Sequence, residues 1–192
     1  SSSDELSLFP SSEVNFSANF MRRPQEALGL NAEKDLAEIL SPENIFHYMY
    51  AVFHSPTYRS RYAEFLKIDF PRLPLTSNVA LFRQLCGLGK ELVSLHLLEA
   101  EGLKPKVKFS AVRGQSSIVS KGYPKYDDGK VYINAEAHFA GVPADVWEFH
   151  IGGYQVCEKW LKDRRERELS AEDIVHYGKV VSALGETIRI MA

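Results

Sequence analysis

Apolar positions recur along the chain with two different periods. The helical period holds over residues 41–103 and again after 141, and a twofold alternation fills the stretch between. Ser41-Pro42 predicts a helix start, with a capping hydroxyl followed by a residue whose φ is already helical. Ile45, Met49, Val52 and Phe53 share one face of that helix, which should stop near His54 because Pro56 disfavours helix at Ser55. Ser55-Pro56 opens a second helix carrying Tyr58, Tyr62, Phe65 and Leu66 on one side. Phe70–Leu75, FPRLPL, is held extended by its two prolines. Thr76 or Ser77 is expected to cap a third helix with a narrow seam of Leu81, Leu85, Leu88, Leu92 and Leu95.

From Lys104 onward Val107, Phe109 and Ala111 alternate with Lys106, Lys108 and Ser110, which predicts a strand with one wet face. Ser117–Ser120 is a second candidate strand. Asp128-Gly129 turns the chain into a third, where Val131 and Ile133 alternate with Lys130, Tyr132 and Asn134. Gly141-Val142-Pro143 returns it to helix. Gly152-Gly153 then separates an aromatic helix, Trp147–Phe149, from one carrying Tyr154, Cys157, Trp160 and Leu161. Ser170 to Asp173 resembles a capping box ahead of a last helix with Ile174, Tyr177, Val181, Leu184 and Ile188 on one face. The order helices, small antiparallel sheet, helices makes the fold class α+β. A single domain over 1–192 divides into an irregular segment to residue 40, a helical part 41–103, a β part 104–140 and C-terminal helices 141–192. In the first of these, Phe16 and Phe20 are the aromatics expected to dock on a core.

The formal net charge of −2 conceals an uneven distribution. Residues 1–43 carry three basic against eight acidic groups, whereas residues 104–134 carry seven basic side chains against Asp127 and Asp128. That local asymmetry, rather than the total, bears on a polyanionic partner. Lys159, Lys162, Arg164, Arg165 and Arg167 alternate with carboxylates, as a solvated helix end with i,i+4 pairs would. Cys86 and Cys157 fall in helical patterns with no paired spacing, so they are expected as small buried thiols in a reducing cytosol. The chain opens SSSD without Met, as an excerpt of a longer polypeptide would.

Reaction chemistry is not legible. Gly87-Leu88-Gly89-Lys90 lacks the earlier glycine of a phosphate loop, has Glu91 where Ser or Thr is needed, and lies on the leucine seam. The six histidines show no zinc spacing, and no serine sits in a nucleophile elbow. The segment 113–126, RGQSSIVSKGYPKY, has a different character, with Arg, Gln, Ser, Lys and Tyr among glycines and no acids. Arg suits guanine O6/N7 and Gln suits adenine N6/N7, while Lys, Ser and Tyr suit phosphate oxygens. Polar hairpin loops share that composition, so composition leaves both readings open.

Several longer motifs add a resemblance. Residues 43–75, 81–99, 131–134, 141–164 and 169–191 resemble the C-terminal specificity domain of type ISP restriction–modification enzymes, with HSPTYR and IGGYQVCEKWLKDR the most specific motifs. NFSANF (15–20) is similar to the segment that opens this domain. The resemblance implies a target recognition domain that docks on double-stranded DNA and directs an attached adenine-N6 methyltransferase, with a nuclease and a motor further N-terminal. S-adenosylmethionine is then expected in the methyltransferase and no cofactor in this chain, which carries neither the catalytic nor the glycine-rich motif of a methyltransferase. It implies a prokaryotic, cytoplasmic protein. Tyr48, Phe53, Tyr62, Phe65, Trp147, Trp160 and Tyr177 read as packing aromatics. The expected DNA-contacting residues are Arg113, Gln115, Ser116, Lys121, Tyr123, Lys125 and Tyr126, with Lys106, Lys108 and Lys130 for phosphates. The alternative is a helical docking module of the same enzyme with little direct DNA contact, using the Leu81–Leu95 seam or the Ile174–Ile188 face.

Overall fold

The computed structural model describes residues 17–31, 35, 38–112 and 116–192. Two hydrophobic cores organise them, one among helices and one beneath a sheet. The α+β class read from the sequence is the one observed.

The helical core is built by α1 (Ala18–Leu28), α2 (Pro42–His54), α3 (Pro56–Arg61) and α4 (Val79–His96). Helix α1 is a correction, since its span lies within the segment expected to be irregular. The Ser17 hydroxyl accepts from Phe20 N, and Gly29 closes the helix in the left-handed conformation at φ 65°. Phe20 packs on the helical core as expected, whereas Phe16 lies outside the described residues. Ser41 and Ser55 cap α2 and α3 as the Ser-Pro pairs predict. Helix α3 is shorter than its periodicity suggests, ending at Arg61 before a 3-10 turn at Phe65–Lys67, and Tyr62 packs on the Tyr58 ring at 4.8 Å while remaining partly open to solvent.

Helix α4 is capped by Asn78, not Thr76 or Ser77, with the Asn78 carboxamide accepting from Leu81 N. Its buried stripe is also displaced, to Phe82, Cys86, Gly89, Leu92 and Leu95, while Leu81 and Leu88 stand exposed. The physical reason is the crossing with α2. A Cβ on Gly89 would sit 1.8 Å from the His47 carbonyl oxygen, so the side without a side chain must face the partner helix. The glycine that superficially suggested a phosphate loop is therefore the contact point of two helices.

The sheet unit holds β1 (Lys108–Ala111), β2 (Lys125–Asp127), β3 (Lys130–Tyr132) and β4 (Ala137–Ala140) in the order β1-β4-β3-β2, all antiparallel. Asp128 and Gly129 both have positive φ, as a tight two-residue hairpin turn requires. The stretch read as one strand from Val131 folds instead into a β3–β4 hairpin. Asn134 Oδ1 accepts from the N–H groups of Glu136 and Ala137 and turns the chain there. Ser117–Ser120 is not a strand of this sheet. Ile118 and Val119 form isolated bridges to Glu168 and Arg165 in the loop after α6.

Helices α5 (Ala144–Trp147), α6 (Val156–Lys162) and α7 (Ala171–Met191) accompany the sheet, and a short hairpin of β5 (His150–Ile151) and β6 (Tyr154–Gln155) turns at Gly152-Gly153. The aromatic helix thus ends before Phe149. Ser170 and Asp173 form the capping box, and the α7 face that includes Tyr177, Val181 and Leu184 enters the core. Cys86 and Cys157 are both buried and free. Among the described residues, no helix is long and apolar enough to cross a membrane.

The two units join along α4 and α7. Thr187 Oγ1 donates to the Ala183 carbonyl, so it accepts from His96 Nε2, and His96 Nδ1 accepts from the Tyr50 hydroxyl at 2.6 Å. That relay fixes a neutral imidazole. Burial and the neighbouring His54 lower its pKa to about 4.

Candidate functional site

Pairing register decides which side chains share a face of the sheet, because neighbours across strands project to the same side. Phe109, Phe139, Val131 and Tyr126 form one such row, pointing inward onto Tyr177 and the core. The flanking rows therefore point outward. One runs Lys108, Ala140, Lys130, Asp127, and the other Ser110, His138, Tyr132, Lys125. Lys108, Lys125 and Lys130, expected from sequence as contact residues, thus meet on one wet face. Tyr132 and His138 lie between them, their rings 5.0 Å apart.

Charge pairing distinguishes this face from the basic cluster of residues 159–167. Lys108, Lys121, Lys125 and Lys130 are exposed, and none forms an ion pair among the described residues. The other basic cluster is spent internally, as its alternating pattern predicts. Lys159 pairs with Asp163, Lys162 with Glu158, and Arg164 and Arg167 with Asp173. Arg164 also lies 3.5 Å above the Trp160 ring. An unpaired surface ammonium group remains available to a phosphate, whereas one already bound to a carboxylate does not.

The loop before β2 is held at the edge of this face. Asn134 Nδ2 donates to the carbonyls of Ser116 and Ile118, and the Arg165 guanidinium donates twice to the Tyr123 carbonyl, at 3.2 and 3.1 Å. Ser116 and Lys121 are exposed, and Lys125 Nζ lies 5.1 Å from the Tyr123 ring centroid. The peptide between Tyr123 and Pro124 is cis. Arg113 and Gln115, the two base-reading candidates, lie outside the described residues.

Two of the expected contacts are committed elsewhere. Tyr126 faces inward, its ring stacked on Trp147 and its hydroxyl donating to the Val142 carbonyl at 3.1 Å. Its place beside an outward Lys125 makes this unavoidable. Lys106 precedes β1, where its N–H donates to Ser182 Oγ and its ammonium pairs with Glu186 at 2.7 Å. Hydrogen bonds from Lys106 and Arg189 hold the Glu186 carboxyl down at about 2. Ser110, Tyr132 and His138 were missed as site residues. Period-2 reading already sets Tyr132 beside Lys130, but only the β3–β4 register brings His138 alongside. Asn134 and Arg165, which fasten the loop, carry no sequence signal of that role.

Among the described residues, no group of three or more His, Cys, Asp or Glu side chains is arranged to hold a metal ion. The buried thiols are driven away from ionisation, Cys86 to about 11 and Cys157 to about 12, chiefly by desolvation.

Comparison with known proteins identifies the frame that carries this face. The whole chain, residues 1–192, matches the family described as the Type ISP C-terminal specificity domain, and the chain belongs to that family. None of the curated proteins matches. Among solved structures, the cryoEM structure of the DrdV–DNA complex is similar at TM-score 0.70 and 23% identity, over 90% of this chain and 19% of that one. A nuclease-deletion mutant of the Type ISP restriction-modification enzyme LlaGI, in complex with a DNA substrate mimic, follows at TM-score 0.59 and 20% identity. It covers 78% of this chain and 13% of that chain. The ATP-dependent Type ISP restriction-modification enzyme LlaBIII bound to DNA is similar at TM-score 0.60 and 19% identity, over 83% of this chain and 11% of that chain. These likenesses establish a shared fold. This chain spans a fifth or less of the length of those proteins.

Proposed function

We propose that this chain, as a Type ISP C-terminal specificity domain, recognises duplex DNA and directs an attached adenine-N6 methyltransferase, and a nuclease where the enzyme carries one, to a particular site. S-adenosylmethionine would be bound by that methyltransferase and not by these residues. The expected setting is the prokaryotic cytoplasm. One observation carries the reading, the outward sheet face on which Lys108, Lys125 and Lys130 stand unpaired around Tyr132 and His138. Lysines there would fix the register of the domain on the phosphate backbone, and Arg113 and Gln115 would supply contacts to base edges.

A salt series of DNA-binding measurements tests this. Replacing Lys108, Lys125 and Lys130 together by Ala should weaken binding to all sequences. If all three touch phosphates, it should flatten the slope of log K against log salt by roughly 2.7, at about 0.9 per contact on duplex DNA. Arg113→Ala or Gln115→Ala should instead relax discrimination between sites by about 1–3 kcal/mol for each base contact removed. A slope unchanged in the triple variant would favour the alternative, a docking module with little DNA contact.

A further inference from the structure

On the helical unit, far along the chain from the basic face, Ile68 and Phe70 are 85% and 87% exposed. They stand at the start of the extended strap 70–75, which the fold holds outward. The Tyr58 hydroxyl donates to the Arg72 carbonyl and the Tyr48 hydroxyl to the Pro74 carbonyl, both at 2.8 Å. Leu73 turns inward onto the helical core. Beside the strap lies a cleft of about 380 Å³ lined by Tyr58, Tyr62, Phe65, Arg72, Leu73 and Pro74. Of the neighbouring charges, Lys67 pairs with Glu64 and Arg72 with Asp69, while Arg72 lies over the Phe65 ring at 5.1 Å and Arg61 over the Tyr62 ring at 5.8 Å. An aromatic cleft beside two fully presented apolar side chains suits an apolar protein surface.

We infer that Ile68, Phe70 and the adjoining cleft are the surface through which this domain docks on another part of its own, longer polypeptide. The comparison with solved structures favours that occupant over a second copy. The same fold covers 78–90% of this chain in proteins where it amounts to only 11–19% of the polypeptide. The inference rests on reading the chain as part of a longer polypeptide and does not depend on DNA contact.

Hydrogen exchange supplies the test, without DNA. The N–H groups of Arg72, Leu73 and Leu75 make no hydrogen bond among the described residues, so in the 192-residue chain alone they should exchange at nearly free rates. In the complete polypeptide they should exchange at least about tenfold more slowly. Ile68→Asp with Phe70→Asp should restore fast exchange there and lower the protease dose that releases this domain, while leaving the melting temperature of the 192-residue chain unchanged. Equal exchange in the two settings would overturn the inference. So would protection of the short chain that grows with its own concentration, protection that needs added DNA, or a reading frame with nothing beyond these residues. Because no step involves DNA, loss of this inference and loss of the DNA-recognition reading would be told apart.

Discussion

The helical unit and the sheet unit treat their most deeply buried tyrosines in opposite ways. In the helical unit the buried tyrosines Tyr48 and Tyr58 reach its edge and donate to strap carbonyls. In the sheet unit the Tyr177 ring is sealed among Phe139, Trp160 and Leu161, and its hydroxyl meets only the weakly bonding Cys157 thiol. Core residues of the sheet unit such as Val131, Ile133, Ala137, Phe139 and Cys157 are wholly buried. The helical core retains slight exposure at Leu28, Leu30, Val52 and Cys86. The lesson is that the more completely buried core lies directly under the basic face. If that face is the proposed DNA-contacting surface, complete burial beneath the strands would hold its lysines in fixed positions.

The contrast can be broken most severely at Phe139, the centre of the inward row. Phe139→Ala should cost about 3–5 kcal/mol, read as a fall in the denaturant midpoint, because the cavity opens between the sheet and α7. Next in size is Gly89→Ala, which drives a Cβ into the backbone of α2 and should cost about 3 kcal/mol or more. Its unfolding should show separation of the two helices, with the sheet unit affected less. A pair of conservative changes sharpens the comparison of polar atoms. Tyr48→Phe removes a satisfied hydroxyl and should cost about 1 kcal/mol. Tyr177→Phe should lie within about 1 kcal/mol of neutral or stabilise, since the lost hydroxyl has little to bond.

The smallest effect at neutral pH concerns the seam between the units. His96 has a folded pKa of about 4, lowered by burial from 6.5. The unfolded chain therefore binds the extra proton throughout that interval, so stability is complete above pH 6.5 and falls as pH drops toward 4. Thermal melts from pH 7.5 to 4.5 should show this slope, and His96→Gln should make it shallower. Part of it should persist, because burial also lowers His54 and His47.

Much of the fold was legible along the chain. Ser-Pro pairs set the starts of α2 and α3, Ser170 and Asp173 set that of α7, and Asp128-Gly129 set the β2–β3 turn. These are local devices whose hydrogen bonds close within four residues, so sequence suffices to find them. The leucine seam misled, because a heptad count cannot know that α2 crosses at Gly89 and turns Leu81 and Leu88 to solvent. Of the expected contacts, Lys108, Lys125 and Lys130 converge, while alternation sends Tyr126 inward and an ion pair occupies Lys106.

By itself the sequence determined the coarse order of helical, β and helical parts, the α+β class, most of the turn and cap chemistry, and the run of basic residues before Val131. Those properties arise from neighbours along the chain. The tertiary structure alone decided that lysines of three different strands share a face with His138, and that Arg165 and Asn134 fasten the loop beside them. It also decided that Ile68 and Phe70 remain outside both cores. Each of these depends on strand register or on a crossing between elements far apart in sequence, and a one-residue shift in register would exchange the wet and buried faces altogether.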